Sequence, residues 1–269
     1  IERLSAAGAA ISVDTRRPAV MEAALGAGAH VINDVSALRH DPRAIELAAR
    51  SGAPVVLMHA PGEGEDLHGG GSYADVVLDV FDWLSARRDA ALAAGIARDK
   101  IVLDPGIGFG KTPEQSMTAL ARLGELRSFG LPILVGASRK RFIASVMPSE
   151  PQQRLGGSIA AHLIAAQNGA RIIRAHDVAE AVQAARPPGP APRRFRTACW
   201  CRAPQPYPSP RKMCPVLAVQ HATDAPAATF PPRTAQLVRP LPAAGAMPLN
   251  CPRNATDQLY VGRSAASLI

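Results

Sequence analysis

The first 186 residues of this 269-residue chain contain no cysteine and carry no net formal charge. The chain has 30 Lys and Arg residues, of which ten follow residue 186, and 22 Asp and Glu residues, of which two do. Residues 1–186 therefore hold 20 of each sign. The absence of cysteine excludes a disulfide framework there and favours a cytoplasmic protein. Because the excess of basic residues follows residue 186, the high net charge does not indicate nucleic-acid binding by residues 1–186, and we expect no nucleic-acid partner. No apolar run reaches the length of a membrane span, so we expect no membrane partner.

Residues 187–269 differ sharply from the rest of the chain. They hold 16 of the 25 prolines, all four cysteines and the excess of basic residues that makes the net charge +8. They show no apolar periodicity and no run able to form a core, so we predict a Pro- and Arg-rich tail that is disordered or non-native. Two motif matches within it, Cys199-x-Cys201 and the glycosylation acceptor at Asn254, are discounted with it. The sequence begins with neither an initiator methionine nor a signal peptide, so we expect residue 1 to be an interior position of a longer protein.

Strands and helices are predicted to alternate six times over residues 1–186. The strands are apolar on both faces, which is typical of a parallel sheet covered by helices, in a doubly wound fold or a (β/α)8 barrel. Their predicted ranges are 10–14, 30–34, 54–59, 100–104, 132–136 and 171–175. Polar residues follow every strand at its carboxyl end, and only a barrel brings all those ends to one mouth. We therefore predict an α/β fold, a (β/α)8 TIM barrel that is incomplete, with about six of its eight units in residues 1–186.

Asp104 is the most informative of these polar residues. The apolar strand IVLD runs into Pro105 and a glycine-rich turn, and a buried carboxylate at that place needs a partner. The turn GIGFGK suggests nucleotide binding, but Pro105 stands where a Walker loop needs glycine, and the glycine spacing differs from a dinucleotide fingerprint. A tight turn that leaves Asp104 free to bind another ligand fits better.

The other strand ends offer two kinds of chemistry, each with a structural alternative. Carboxylates and an amide at Asp14, Asn33 and Asp104 suit a ligand with adjacent N–H donors, such as an aminopyrimidine, although Asp14 and the Asn33–Asp34 pair also suit helix caps or turns. Cationic side chains there suit a phosphate or diphosphate. Arg174 lies inside a strand and must face an acid or a ligand. His59 fits a core or orienting role at least as well as a ligand-binding one.

Six segments in this order resemble dihydropteroate synthase over about residues 1–186. They are SVDT at 12–15, IND at 32–34, LMH at 57–59, DPGIGFGK at 104–111, GASRK at 136–140 and IIRAHD at 172–177. The resemblance implies a (β/α)8 barrel, a homodimer, and condensation of 6-hydroxymethyl-7,8-dihydropterin diphosphate with 4-aminobenzoate to give 7,8-dihydropteroate and diphosphate in folate biosynthesis. It also implies Mg²⁺ as cofactor and competition by sulfonamides for the 4-aminobenzoate site.

The resemblance also implies roles for nine residues of this sequence. Catalysis would involve Asp14, Asp104, Lys140 and Arg174. Substrate binding would use the same four together with Asn33, Met58, Phe109, Ser138 and His176. In the family, the carboxylates and the amide hold the nitrogen-rich pterin edges, the lysine faces the ring carbonyl, and the arginine stacks on the ring and, with the histidine, binds diphosphate. Met58 and Phe109 would line the pterin pocket, and Ser138 would lie near the aminobenzoate.

Several family features have no counterpart in this sequence. The first strand, whose loop carries an Asn that contacts magnesium, and the Ser-Thr-Arg loop of the second strand are absent, so no metal ligand is predicted in this chain. The last helix, which contributes to the family's dimer, ends near Arg186. Residues 60–71, with Glu63, Glu65, Asp66 and His68, match no motif. A pterin-binding methyltetrahydrofolate methyltransferase and a truncated, non-functional product remain alternatives, although SRK and RAHD favour the synthase.

Overall fold

The structure is a computed structural model that describes residues 1–62, 69 and 71–185, and the backbone of 217–221 and 260–264. Strands alternate with helices as predicted. The six strands in the first part are β1 Ala10–Asp14, β2 Val31–Asp34, β3 Val55–Met58, β4 Ile101–Asp104, β5 Leu134–Val135 and β6 Ile172–Ala175. The α-helices are α1 Glu2–Ala6, α2 Pro18–Gly26, α3 Pro42–Ser51, α4 Val76–Ala93, α5 Pro113–Ala121, α6 Arg141–Val146, α7 Leu155–Gln167 and α8 Val178–Ala185. The helices among the described residues include none long and apolar enough to cross a bilayer.

Among the described residues the sheet has eight strands, and the strands of each neighbouring pair run in the same direction. Two of them follow residue 186: β7 Leu217–His221 and β8 Tyr260–Ser264. The order is β4-β3-β2-β1-β7-β8-β6-β5. A parallel bridge between Leu103 and Ile133 joins its two ends, because Ile133 directly precedes β5. The fold is thus the (β/α) barrel that the sequence predicts, with six βα units from residues 1–185.

The strands β7 and β8 were not expected from the sequence. They lie between β1 and β6, the place that six βα units leave open. Pairing there needs only main-chain N–H and C=O groups, which any extended segment offers to an open sheet edge, so apolar periodicity could not predict it. The rest of 187–269, including Cys199, Cys201 and Asn254, lies outside the described residues, as do Glu63, Glu65, Asp66 and His68. The division at residue 186 into a domain and a disordered or non-native tail stays a prediction.

Local chemistry sets the limits of two helices. Helix α4 begins at Val76, because the Asp75 carboxylate caps it by accepting hydrogen bonds from the backbone N–H groups of Val77 (2.8 Å) and Leu78 (3.2 Å). Helix α5 ends at Ala121, and after Arg122 the chain continues as a tighter 3₁₀ segment, Leu123–Phe129.

The strands bury two separate apolar layers. Residues such as Leu57 and Leu103 face outward into a large core shared with the helices. A smaller cluster takes one residue from each of five strands: Val31, Val56, Val102, Leu134 and Ile172. These residues alternate with the outward-facing ones and so fill the barrel interior. The next inward positions, two residues further along each strand, lie at its carboxyl end.

Candidate active site

The residues at those next inward positions form a polar layer directly above the apolar interior. Counting two residues on from each member of the inner cluster gives Asn33, Met58, Asp104, Gly136 and Arg174. Strand register supports this count, because Met58 pairs with Asp104 and Asn33 pairs with Asp14 of β1. The sequence predicts Asp14 and four of these five residues as site residues. Gly136 is the one to which it assigns no role. Side chains on one face of a strand recur every second residue, so these site residues lie at one level inside the barrel.

Arg174 lies at the centre of this layer. Its Nη1 donates to Asn33 Oδ1 at 3.3 Å, and its Nη2 to Asp104 Oδ2 at 3.4 Å. Both distances are long for hydrogen bonds and indicate weak contacts. A Cβ atom at Gly136 would lie 2.8 Å from Arg174 Nη2, so glycine is what leaves room for the guanidinium. The partners of Arg174 are thus an acid, Asp104, and an amide, Asn33, both of this site.

Asp104 is 1% exposed and is held from two sides. Its Oδ1 accepts a hydrogen bond from the backbone N–H of Gly106 at 2.8 Å, while Oδ2 faces Arg174. Burial raises the pKa of Asp104, and the positive charge of Arg174 opposes that rise. Asn33 is also 1% exposed, and its Nδ2 has no hydrogen-bond partner among the described residues. Such a buried donor is costly unless a ligand satisfies it.

Lys140 and Phe109 form one wall of the site. The Lys140 Nζ lies 4.1 Å from the centroid of the Phe109 ring. Burial and the charge of Arg174, against the opposing charges of Asp104 and Asp14, together lower the pKa of Lys140 to about 8. Asp14 is 8% exposed and acts on this lysine through its charge. Met58 is fully buried beside Asp104 and adds an apolar surface.

Ser138 and His176 meet at a second point of the mouth. The Ser138 Oγ lies 2.9 Å from His176 Nδ1 and accepts from the His176 backbone N–H at 3.2 Å. Burial lowers the pKa of His176, and the charge of Arg139 lowers it further. The two residues come from loops after β5 and β6, so the contact ties together the segments that carry Lys140 and Arg174.

Arg139 supports this region although sequence reasoning gave it no role. Its φ of 58° is left-handed, a conformation that costs energy for a residue with a side chain. Its guanidinium binds the Asp177 carboxylate, with Nε 3.1 Å from Oδ2, and its backbone N–H donates to Ser158 Oγ at 2.9 Å. Arg139 lies between Ser138 and Lys140 in the chain, and its left-handed backbone sets the direction in which the chain passes from one to the other.

Two sequence ambiguities are now decided. Asp34 accepts hydrogen bonds from the Ser36 backbone N–H (2.7 Å), the Ser36 hydroxyl (2.6 Å) and the Leu38 backbone N–H (3.1 Å), so it shapes the loop after β2. His59 is buried and lies 2.9 Å from the Lys111 Nζ through its Nδ1. Lys111 was not predicted as a functional residue. Its position directly after a glycine-rich turn was the signal that could have indicated it.

The site as a whole offers convergent acceptors, a spare amide donor and three cationic or basic groups. In the described ranges, no group of three or more His, Cys, Asp or Glu side chains is arranged to hold a metal ion. The acceptors and cationic groups suit a planar ligand with N–H donors and an anionic substituent.

The chain is similar in sequence and fold to dihydropteroate synthases. Dihydropteroate synthase of Escherichia coli is 45% identical over 176 residues, which cover 65% of this chain and 62% of that protein. The Bacillus subtilis synthase is 36% identical over 187 residues, covering 69% and 63%. A solved Xanthomonas albilineans dihydropteroate synthase in complex with 7,8-dihydropteroate has a TM-score of 0.64 and 47% identity, covering 68% of this chain and 67% of that one.

The similarity covers the part that contains the site. This chain spans about three fifths of the length of the curated relatives it matches, 62% for the synthase of Escherichia coli. Residues 1–176 match the family described as "Pterin binding enzyme". This range includes every residue of the polar layer, from Asp14 to Arg174, and extends to His176. The chain therefore belongs to the pterin-binding enzyme family.

Proposed function

We propose that this chain acts as a dihydropteroate synthase, joining 6-hydroxymethyl-7,8-dihydropterin diphosphate to 4-aminobenzoate with release of diphosphate. The observation that carries the proposal is the buried acceptor pair, Asn33 Oδ1 and Asp104 Oδ2, which converges on one guanidinium. A guanidinium and the 2-aminopyrimidine edge of a pterin both present coplanar N–H donors. Acceptors that hold the first are therefore suited to hold the second.

Pterin binding would proceed by exchange at these acceptors. The contacts of Arg174 are long, at 3.3 and 3.4 Å, so they are weak enough to be replaced. The displaced guanidinium would stack on the face of the pterin ring, as planar guanidinium groups do on aromatic rings. The Asn33 Nδ2, which has no partner within the described ranges, would donate to a ring acceptor. Ligand binding would thus satisfy a group that the free site leaves unsatisfied.

The remaining residues would complete the pocket. Lys140 would donate to the ring carbonyl, and its contact with the Phe109 ring holds it at the pocket wall. Met58 would pack against the pterin face, and Asp14 would supply a second carboxylate to its nitrogen-rich edge. Ser138 and His176, joined by a hydrogen bond, would lie towards the aminobenzoate and the diphosphate respectively.

The reaction breaks the bond between the pterin methylene and its diphosphate oxygen. The electron pair of that bond leaves with the diphosphate, and positive character develops on the methylene carbon and the ring. Buried carboxylates at Asp104 and Asp14 stabilise that charge better than water can. The aminobenzoate nitrogen then forms the new C–N bond and loses a proton. Arg174 would offset the negative charge of the departing diphosphate, and His176, whose pKa burial lowers, would donate a hydrogen bond to it.

Mg²⁺ is implied by the family resemblance. The described residues contain no cluster of three or more candidate metal ligands, so a magnesium ion in this site would take most of its ligands from the substrate diphosphate and from water. There it would help to neutralise the charge of the departing diphosphate, and no residue named above is assigned a step through it.

Two measurements test the proposal. Isothermal titration with 6-hydroxymethylpterin tests the pocket, and release of diphosphate from the dihydropterin diphosphate and 4-aminobenzoate tests turnover. Binding without release would restrict the function to pterin binding, and the absence of binding would reject it. Tighter binding of 5-methyltetrahydrofolate than of the pterin diphosphate would instead favour the methyltransferase alternative.

We further propose a cytoplasmic homodimer that sulfonamides inhibit by competing with 4-aminobenzoate. Support comes from family membership and, for sulfonamides, from a Yersinia pestis dihydropteroate synthase solved as a sulfonamide drug complex, which is 44% identical and covers 65% of this chain and 64% of that one with a TM-score of 0.62. Light scattering tests the dimer. A sulfonamide that leaves the KM for 4-aminobenzoate unchanged would reject the competition.

A further inference from the structure

The Lys111 ammonium group lies at the base of the glycine-rich turn that follows β4. Its Nζ is 2.9 Å from His59 Nδ1, 3.1 Å from the Gly106 carbonyl oxygen and 3.3 Å from the Phe109 carbonyl oxygen. An ammonium group has three N–H donors, and these three acceptors use all of them. Two acceptors belong to the turn and the third, His59, directly follows β3, so the lysine side chain connects the turn to the end of the neighbouring strand.

His59 is suited to be a fixed acceptor for this lysine. It is 2% exposed, and burial lowers its pKa to about 3, with a further contribution from the charge of Lys111, so the imidazole is neutral. A neutral imidazole accepts at one nitrogen, and the short contact assigns that role to Nδ1. The rings of Trp83 (5.0 Å between centroids) and Tyr73 (6.0 Å) pack around it and hold its orientation.

The backbone of His59 contacts the same turn. Its N–H donates to the Asp104 carbonyl oxygen at 2.9 Å. Its own carbonyl oxygen would lie 1.9 Å from a Cβ atom at Gly106, a separation that no side chain could tolerate. The turn is therefore packed directly on His59, and the lysine closes the contact from the other side.

This turn carries two parts of the candidate pterin pocket. The Gly106 N–H orients the Asp104 carboxylate through its 2.8 Å hydrogen bond to Oδ1. The Phe109 ring lies against Lys140. We propose that Lys111, held by His59, is a positioning residue that fixes the 105–110 turn so that Asp104 and Phe109 face the pterin. The proposal rests on the pterin-binding function proposed above.

The electrostatic cost of this lysine supports a role beyond packing. Burial lowers its pKa to about 7, Asp104 opposes this effect and Lys140 adds to it. An apolar side chain of similar length would avoid that cost but would leave two carbonyl oxygens of the turn without this donor. A buried lysine whose pKa is shifted this far, next to a ligand pocket, is typical of functional sites.

Two pairs of variants test the proposal. Lys111→Met removes the donors, and Lys100→Met makes the same change just before β4, at the opposite end of the strand. His59→Asn keeps an acceptor near the position of Nδ1, whereas His59→Leu removes it at similar size. The readouts are the Kd for 6-hydroxymethylpterin and amide hydrogen exchange of Gly106 and Phe109 in the ligand-free protein.

The expected result is a Kd raised about tenfold or more in Lys111→Met and His59→Leu, as loss of a charge-assisted hydrogen bond implies, with faster exchange at both amides. Lys100→Met should match the parent protein, and His59→Asn should fall closer to the parent than His59→Leu. Unchanged exchange and Kd in Lys111→Met, or equal effects of the two His59 variants, would overturn the proposal. If Lys111→Met does not fold, the His59 pair decides. If the parent protein binds no pterin, the proposed function fails, and exchange alone still decides whether Lys111 fixes the turn.

Discussion

The Arg174 Nη2 lies 3.4 Å from the Asp104 Oδ2, although 70 residues separate the two in sequence. The Arg174 side chain is 13% exposed and that of Asp104 is 1% exposed, so the pair is shielded from water on nearly every side. Removing one partner of a buried pair leaves the other charge uncompensated. The pair is also the place where a pterin would enter, so changes to it should separate effects on binding from effects on folding.

Replacing Asp104 by asparagine should weaken pterin binding. The amide keeps one acceptor but loses the negative charge that faces Arg174 and the ligand. We expect a Kd for 6-hydroxymethylpterin raised at least about tenfold, the effect of one charge-assisted hydrogen bond. Titration calorimetry measures it, and Asp99→Asn, on an exposed residue just before β4, is the control. Equal affinities of Asp104→Asn and the parent protein would contradict this role.

The alternation of apolar residues made much of the fold and site predictable. A strand with Val102 facing inward must present Asp104 on the same side, and the same count places Arg174 above Ile172. What could not be predicted depends on contacts between distant segments. Nothing in GASRK indicates that Arg139 adopts a left-handed φ or meets Asp177, 38 residues later. The strands β7 and β8 lie after residue 186, where the sequence shows no apolar periodicity, and only their pairing with β1, β6 and each other reveals them.

Gly136→Ala should impair the site while leaving the fold largely intact. The new Cβ would lie 2.8 Å from Arg174 Nη2, and because this atom ends a flexible side chain, the guanidinium can move away. We expect loss of pterin affinity with a small change in melting temperature. The control is Gly156→Ala on α7, where nothing lies within 4 Å of the added atom and the helix should gain up to about 1 kcal/mol. Normal affinity in Gly136→Ala would show that the position of Arg174 is not critical.

Arg139 should tolerate glycine better than alanine. Both replacements lose the ion pair with Asp177, but only glycine adopts a φ of 58° without a Cβ penalty. The free energy of unfolding of Arg139→Gly should exceed that of Arg139→Ala by about 1 kcal/mol. Urea denaturation measures both values.

The same pair of substitutions at Arg88 provides a control with the opposite order. Arg88 lies within α4, where alanine is favoured over glycine by about 1 kcal/mol. If alanine were the more stable replacement at both positions, the left-handed conformation of Arg139 would not be the cause of its behaviour.

His162 on α7 should make the protein less stable in mild acid. It is 4% exposed, and neither ring nitrogen has a hydrogen-bond partner in the described part of the chain. Burial lowers its pKa to about 4, with Asp177 opposing and His176 adding to the effect. The unfolded chain binds a proton near pH 6.5, so between pH 6.5 and 4 the unfolded state holds more protons and the free energy of unfolding falls as the pH falls. The loss between pH 7 and pH 5 should be about 2 kcal/mol.

The His162→Leu variant isolates this contribution, because other buried groups titrate in the same range. His59 acts in the same direction, since burial lowers its pKa to about 3, whereas burial raises the pKa of Asp34 and of Asp104, which stabilises the folded state in acid. Urea denaturation at pH 7 and pH 5 should therefore show a smaller loss in His162→Leu than in the parent protein, by about 2 kcal/mol. His40→Leu, on an exposed histidine, should retain the parent's loss. An identical pH dependence in His162→Leu and the parent would mean that His162 gains its proton as readily in the folded barrel as in the unfolded chain.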